Sequence, residues 1–175
     1  MPTFATTTVH GLSADVYYDS AAVRTAGDIT VSITPEVLEL TANDEGMFNP
    51  VNVMRRGETV TVGIPIADVT GLATVSAITL PFSSTVSGAS GTEVLLPKSS
   101  PGDDYLSKAK ELRIVARDGS ATWIFPKAVC TELDDLTLSE ENQNIWGATF
   151  RCFNSTVSGV ETPYRVISGS VVTGP

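Results

Sequence analysis

The sequence predicts a mainly β protein: an antiparallel β-sandwich or barrel with one short flanking α-helix and extended terminal arms. The first observation is compositional, since 20 Val, 9 Ile and 22 Thr make up 51 of the 175 residues. Such β-branched side chains favour a pleated sheet over a helix. The second is that apolar and polar residues alternate over several runs, as in half-buried strands. The third is an Asp-Gly pair between two such runs, which is a strong hairpin signal.

Length and composition favour one domain with its own core. A chain of 175 residues buries roughly 69% of its unfolded surface by area scaling. The content of 42% apolar and 18% charged residues argues against extensive disorder. No uncharged apolar run approaches the length of about 20 residues that a membrane span needs. The N-terminus lacks the pattern of a signal peptide, so we expect synthesis in a cytoplasm.

The charge balance excludes one class of function. The chain carries 11 basic and 20 acidic residues, a net charge of −9. Such a surface repels phosphate, so we expect no sequence-specific reading of nucleic acid.

The first strands follow an N-terminal arm. Residues 1–27 are rich in Thr and Ala and are predicted to form this arm, with a strand-like piece at Val16–Tyr18. The β domain is predicted over residues 28–153. Its first strand alternates from Ile29 to Thr34, is interrupted by Pro35 and resumes over 37–41.

The cleanest alternation lies in the second strand of the domain, where Val60, Val62, Ile64 and Ile66 are predicted to face the core. Its opposite face, with Thr59, Thr61 and Gly63, is predicted to face solvent or a lumen. The loop before this strand, from Thr41 to Arg56, exposes Met47 and Phe48 beside Asn49. Two large apolar side chains on a polar loop indicate a partner surface.

The rest of the domain is predicted as a helix, a loop and three strands. The helix is expected at about 69–80 and a flexible loop at about 82–107, with one short strand at 93–96. Alternating runs on either side of Asp118-Gly119 predict a hairpin. A later strand, over 145–153, is predicted to bury one face; its members are Trp146, Ala148, Phe150 and Cys152.

The chain ends in a predicted C-terminal arm over residues 154–175. Neither arm can bury enough surface alone to offset the entropy of ordering it. Tyr17, Tyr18 and Tyr164 have strand-like character suited to pairing with another subunit. We therefore expect both arms to become ordered on assembly.

The sequence offers no convincing chemical site. The single histidine, His10, lies in the arm, where a catalytic triad would lack rigid support. Cys130 and Cys152 have no companions at zinc-binding spacing, and we expect two buried free thiols. The chain is therefore predicted to be no enzyme and to need no cofactor or metal.

The order of elements carries a family resemblance. Ile29-Thr30-Val31-Ser32-Ile33 leads into Glu39–Gly46, and the alternating run Thr59–Asp68 follows Arg56-Gly57-Glu58. Later, Lys110–Gly119 is followed by Trp123–Val129. Over residues 28–153 this order resembles the tail tube protein of long-tailed bacteriophages, or of related tail-derived particles.

That resemblance implies a structural virion protein. Members of the family form hexameric rings that stack into a tube around DNA, with contacts to other tail proteins and only transient passage of DNA. An acidic lumen would repel the DNA backbone and favour passage over binding. Two alternatives stay open, namely another tail component (a tail terminator or distal tail protein) and a carbohydrate-binding or adhesin module. The mass of the assembled species distinguishes these classes.

Overall fold

The protein is almost entirely antiparallel β-structure in the part of the chain that the computed structural model describes, residues 14–40, 52–67, 84–88, 91–95, 102, 104–133 and 145–169. Within these ranges the strands are β1 (Ala14–Tyr18), β2 (Ala21–Val23), β3 (Thr30–Leu40), β4 (Asn52–Ile66), β5 (Ser84–Gly88), β6 (Gly91–Leu95), β7 (Lys110–Ala116), β8 (Ala121–Leu133), β9 (Trp146–Cys152), β10 (Ser155–Val157), β11 (Val160–Thr162) and β12 (Arg165–Ser168). A single helical turn, α1, spans Tyr105–Lys108.

The main sheet wraps around one apolar core, and we call it the barrel. Its strands run in the order β2-β1-β7-β8-β9-β4-β3, with β12 attached to β8. The two ends of this order, β2 and β3, are consecutive in the chain, and the link between them lies against β4. There Thr25 forms a bridge with Ile66, and the Ala26 amide donates to the Pro65 carbonyl at 3.0 Å. The predicted mainly β, antiparallel fold is confirmed.

Strand β8 holds two parts of the barrel together. Its first half pairs with β7 on one edge and β12 on the other, and its second half pairs with β9. Pro126 lies at the changeover, and the register against β7 shifts there between Phe125 and Ala128. The shift is a β-bulge, which adds one residue to β8. The residues of β8 that follow the bulge therefore face the opposite side of the sheet from the side that strict alternation would give them. Phe125 and Ala128 therefore both point into the core.

One apolar core fills the barrel. The alternation predicted for the strand at 59–66 is confirmed, because Val60, Val62, Ile64 and Ile66 are all buried. The strand predicted at 145–153 is also confirmed, with Ala148, Phe150 and Cys152 buried and Trp146 packed against the core. The remaining fully core-facing side chains come from the other strands; they are Val16, Tyr18, Val31, Leu112, Ile114, Phe125, Ala128 and Cys130.

Tyr18 links opposite walls of the barrel. Its ring packs against Phe150 with 5.4 Å between ring centroids, although β1 and β9 are not neighbours in the sheet. Its hydroxyl donates to the Ala128 carbonyl at 3.1 Å, which satisfies the polar tip of a side chain only 5% exposed. Burial, together with the nearby Cys130 and Asp19, raises the pKa of Tyr18 to about 12.

The Asp-Gly hairpin is confirmed as the turn between β7 and β8. Gly119 has a φ of 73°, a left-handed conformation that costs glycine little. The Gly119 amide donates to the Ala116 carbonyl at 3.0 Å, and the Asp118 carboxylate accepts from the Ser120 amide at 2.9 Å. The hydrogen bonds that the Asp118 carboxylate accepts from Ser120 hold the Asp118 pKa below its usual value.

The predicted N-terminal arm is wrong for its second half. Residues 14–18 pair along β7 and residues 21–23 pair with β1, so this stretch is part of the barrel wall. An ion pair between Arg117 and Asp15, at 2.7 Å, crosses the same junction. Sequence reasoning missed the pairing because it joins strands about 100 residues apart. Residues 1–13 lie outside the described residues.

The C-terminal arm is wrong for residues 154–169 in the same way. Strands β10 and β11 form a hairpin, and β12 adds to the edge of β8. Tyr164 stacks on Trp123 with 6.0 Å between centroids, which fixes this segment against the core. The end of the chain from residue 170 lies outside the described residues.

The stretch predicted as loop at 82–107 contains regular structure. Residues 84–88 pair with 91–95 as a hairpin, where only a strand at 93–96 was expected. The helix α1 follows at the end of the same stretch, capped by the Asp104 side chain, which accepts from the Leu106 amide at 2.9 Å. The helix predicted at about 69–80 lies outside the described residues.

The two cysteines test the core assignment. Both are free and buried, and burial raises the pKa of each thiol from 9.0 to about 12. Because the thiolate is the reactive form, native protein at pH 8 should give no colour with a thiol reagent within minutes. Denatured, non-reduced protein should give two thiols per chain. A fast-reacting thiol in the native protein would contradict the burial, and zero in the denatured protein would reveal a disulfide.

The same buried groups predict a loss of stability in alkali. The unfolded chain releases thiol protons near pH 9.0 and tyrosine protons near pH 10.0, whereas the folded chain keeps those of Cys130, Cys152 and Tyr18 up to about pH 12. Above pH 9 the unfolded state therefore binds fewer protons, and the free energy of unfolding should fall as pH rises toward 12. Urea unfolding at several pH values measures this fall. Tyr18→Phe should make it shallower, and an unchanged slope would contradict the role of Tyr18.

Candidate assembly surface

The outer side of β3, β4 and β9 carries a polar face. The register places Ser32, Thr61 and Arg151 side by side in one row across the three strands. The next row contains Thr30, Gly63 and Thr149. Each alternates with a core residue, so the predicted outward direction of Thr59, Thr61 and Gly63 is confirmed. Apart from Arg151, the side chains in these two rows are small and neutral. Its role as a luminal wall stays a prediction.

Two strands continue past the barrel as a ribbon. Among the described residues, residues 60–63 of β4 pair with both β9 and β3, residues 64–66 pair with β9, and the part of β4 before residue 60 pairs only with β3. The paired segments 34–40 and 52–59 therefore form a two-stranded extension, which we call the ribbon. A register shift between Glu36 and Val37 places one extra residue, Arg56, on β4. Such bulges increase the twist of a ribbon.

The ribbon exposes apolar side chains. Leu38 and Met54 lie directly opposite each other and are 45% and 52% exposed, and Val37 is 42% exposed. Because alternate residues of a strand share a face, Glu36 lies on the same face as Leu38. Arg55 pairs with Glu58, and the Thr59 hydroxyl donates to Glu36 at 3.5 Å. The ribbon thus presents an apolar pair beside a carboxylate.

A wide cavity lies between α1 and the outer side of β8 and β9. Its volume is about 470 Å³, and its lining residues are Asp104, Tyr105, Leu106, Thr131, Arg151 and Phe153. The helix buries none of its residues, and Leu106 is 47% exposed. We call this cavity the slot. It combines an apolar lining with the exposed guanidinium of Arg151.

A second, smaller cavity of about 40 Å³ lies between the start of β3 and the walls formed by β1, β7 and β8. Ala14, Ile29, Ile114 and Trp123 are among its lining residues. At this size it has room for little more than one water molecule.

The predicted contact residues occupy different environments. Tyr18 is in the core, so its side chain is not free to bind another subunit as predicted. Tyr164 is half-buried and packs against the core, and its contact with another subunit stays a prediction. Tyr17 lies on the outer side of β1, half-buried and opposite Arg113. The predicted contact residues Met47, Phe48 and Asn49 lie outside the described residues, in the segment that joins the two strands of the ribbon.

Sequence reasoning missed Leu38 and Met54. Leu38 shares the outer face of β3 with Ser32 and Glu36, because alternate residues of a strand share a face. Residues 52–56, which include Met54, belong to β4 and not to the loop before it. A signal existed in the alternation of β3, since Leu38 is an apolar residue at a position of the polar face.

The described residues contain neither a metal-ligand cluster nor a membrane-spanning helix. Among them, no three His, Cys, Asp or Glu side chains are grouped to hold a metal ion. None of the helices in the described ranges is long and apolar enough to cross a membrane. Trp123, Phe125, Trp146 and Phe150 belong to the core or pack against it, as predicted. No protein-family model matches the chain, and no curated protein matches it significantly.

A pair of lysine substitutions tests the two faces of β4. Thr61→Lys should change the free energy of unfolding by no more than about 0.5 kcal/mol, because the side chain faces outward. Val62→Lys places a charge at a fully buried position and should cost at least about 3 kcal/mol or prevent folding. Urea denaturation measures both. Equal losses from the two variants would contradict the assigned faces.

Proposed function

We propose that this chain is a structural virion protein, the subunit of a tube resembling the tail tube of long-tailed bacteriophages. Copies form rings, six to a ring in that family, and the rings stack into a conduit for DNA. The particle is made in the cytoplasm of a bacterial host and carries other tail proteins as further partners. The subunit is a building block and performs no catalysis.

One observation carries the proposal: the ribbon extends beyond the barrel and exposes the apolar side chains of Leu38 and Met54. A free monomer gains nothing from two long strands that extend beyond its core, because Leu38 and Met54 stay in contact with water there. Burying such a pair against another copy removes apolar area from water, and each large side chain can contribute roughly 1.5–3 kcal/mol when fully buried. Extended strands with an apolar end are thus suited to contacts between subunits.

Two further features support a conduit. The side chains of Thr30, Ser32, Thr59 and Thr61 are small, polar and uncharged, and such side chains hold DNA weakly. Arg151 lies beside Thr61 and adds one positive charge to this face. The net charge of −9 per chain adds repulsion of phosphate. The elements that carry the resemblance, β3 with β4 and β7 with β8, occur in the predicted order.

The described parts of the two predicted arms belong to the fold of the monomer, so the proposed contact surface lies elsewhere. Residues 14–23 and 155–168 pair within the barrel, so they support the fold of the monomer. The contact surface is therefore assigned to the ribbon. A sugar-binding module is not favoured, because Trp123 and Phe125 pack in the core or against it and are not displayed on a face.

The decisive experiment is the mass of the purified protein. Sedimentation velocity over a range of concentrations, with negative-stain microscopy, should reveal rings or tubes. A chain that stays a monomer of 18.4 kDa at every concentration would contradict the proposal. Single closed rings that never stack would favour a tail terminator or distal tail protein.

Replacing Leu38 and Met54 together with Ser should abolish assembly. Both side chains are exposed, so the melting temperature of the monomer should change little, while the contact between copies loses its apolar part. The matched control is Val160→Ser with Val166→Ser, a pair of exposed apolar residues elsewhere on the barrel. The control should assemble normally. Normal tubes from the ribbon variant would contradict its role.

A further inference from the structure

The ribbon and the slot have complementary chemistry. One face of the ribbon carries Leu38 and Met54 next to Glu36, whose carboxylate is exposed. The slot contains apolar and aromatic groups from Leu106 and Phe153 next to Arg151. Asp104 also lines the slot, where its carboxylate accepts from the Leu106 amide as the cap of α1. The basic group of the slot, Arg151, and the ribbon carboxylate of Glu36 have opposite charges, and each lies beside an apolar patch.

The two surfaces belong to different parts of one chain. The ribbon is formed by the ends of β3 and β4 that extend beyond the barrel. The slot lies between α1 and the outer side of β8 and β9. A contact between different patches on identical subunits is heterologous, and repeated heterologous contacts generate rings or open filaments.

We propose that the slot of one copy receives the ribbon of a second copy, with Glu36 paired to Arg151 and the Leu38–Met54 pair packed against Leu106 and Phe153. The proposal rests on the self-assembly proposed above and specifies its contact. The slot has about 470 Å³ of space, which places it in the size range of pockets that accept large groups. Ion pairing across the contact fixes the register of the two copies.

Charge reversal tests this contact. Glu36→Arg alone and Arg151→Glu alone should each raise the concentration needed for half-maximal assembly roughly tenfold, since each places like charges together. The double variant restores opposite charges in the reverse order and should return this concentration to near the wild-type value. Matched controls are Glu161→Arg and Arg165→Glu, which reverse exposed charges on β11 and β12. These controls should assemble as wild type does.

Disulfide trapping gives a second readout. A variant with Met54→Cys and Leu106→Cys should form covalent multimers on oxidation of the assembled protein, because a disulfide requires Cα atoms within about 7 Å. The native Cys130 and Cys152 are buried and should stay reduced. Met54→Cys with Val160→Cys is the control and should give no multimers.

The outcomes separate this inference from the proposed function. Wild-type protein that never assembles overturns both. Wild-type assembly without rescue in the double charge variant overturns the contact alone. The same conclusion follows if Arg151→Glu leaves assembly unchanged, as expected if the slot takes a small molecule. Rescue together with trapping through residues 54 and 106 supports the contact.

Discussion

The wrapping of one sheet around a single core is the constraint on which the rest of the structure depends. The chain between β2 and β3 bonds to the end of β4, through the Ala26 amide to Pro65 and the Ala67 amide to Arg24, each at 3.0 Å. Residues 21–26 thus pair first with β1 and then with the end of β4, which holds both ends of the strand order against one core. Each strand of the barrel then has one face inside and one outside, and the inner and outer surfaces follow from that alternation.

The length of β9 determines where the ribbon begins. The barrel uses only residues 60–66 of β4 against β9, because β9 itself ends at Cys152, opposite Val60. Beyond that point β3 is the only partner of β4 in the part of the chain that the structure describes. Two strands alone are marginally stable in water, so the ribbon depends on the barrel for its anchoring. Its apolar end gains stability only when another surface covers it.

Local patterns predicted much of the barrel. The alternation in Thr59–Ile66 reports which residues face inward, and the Asp118-Gly119 pair reports a tight turn, since both are properties of neighbouring residues. Such local patterns do not show which strands pair with each other. The pairing of β1 with β7 joins residues about 100 positions apart, and alternation contains no signal for it. The segments taken for arms were therefore strands whose partners the sequence did not reveal.

The candidate surface was less predictable for a related reason. Period-2 alternation places Leu38 on the outer face of a strand, but it does not reveal that β4 pairs with β3 as far as Met54 and sets these two apolar side chains opposite each other. The slot is similar, because α1 comes near Arg151 only through the pairing of β8 with β9. The luminal candidates Thr59, Thr61 and Gly63 could be predicted because their direction follows from the core residues between them.

A heterologous contact between a ribbon and a slot has a geometric consequence. Each copy then has one ribbon and one slot. A chain of copies therefore keeps one unoccupied ribbon at one end and one unoccupied slot at the other end until a ring closes. The angle between the two surfaces on the barrel sets how many copies close it, and a rigid barrel holds that angle fixed. Tyr18 contributes to this rigidity, because its contacts with Phe150 and Ala128 connect β1 to β8 and β9 across the core. Loosening the core would therefore widen the spread of angles and favour open chains of subunits over closed rings, even with both contact surfaces intact.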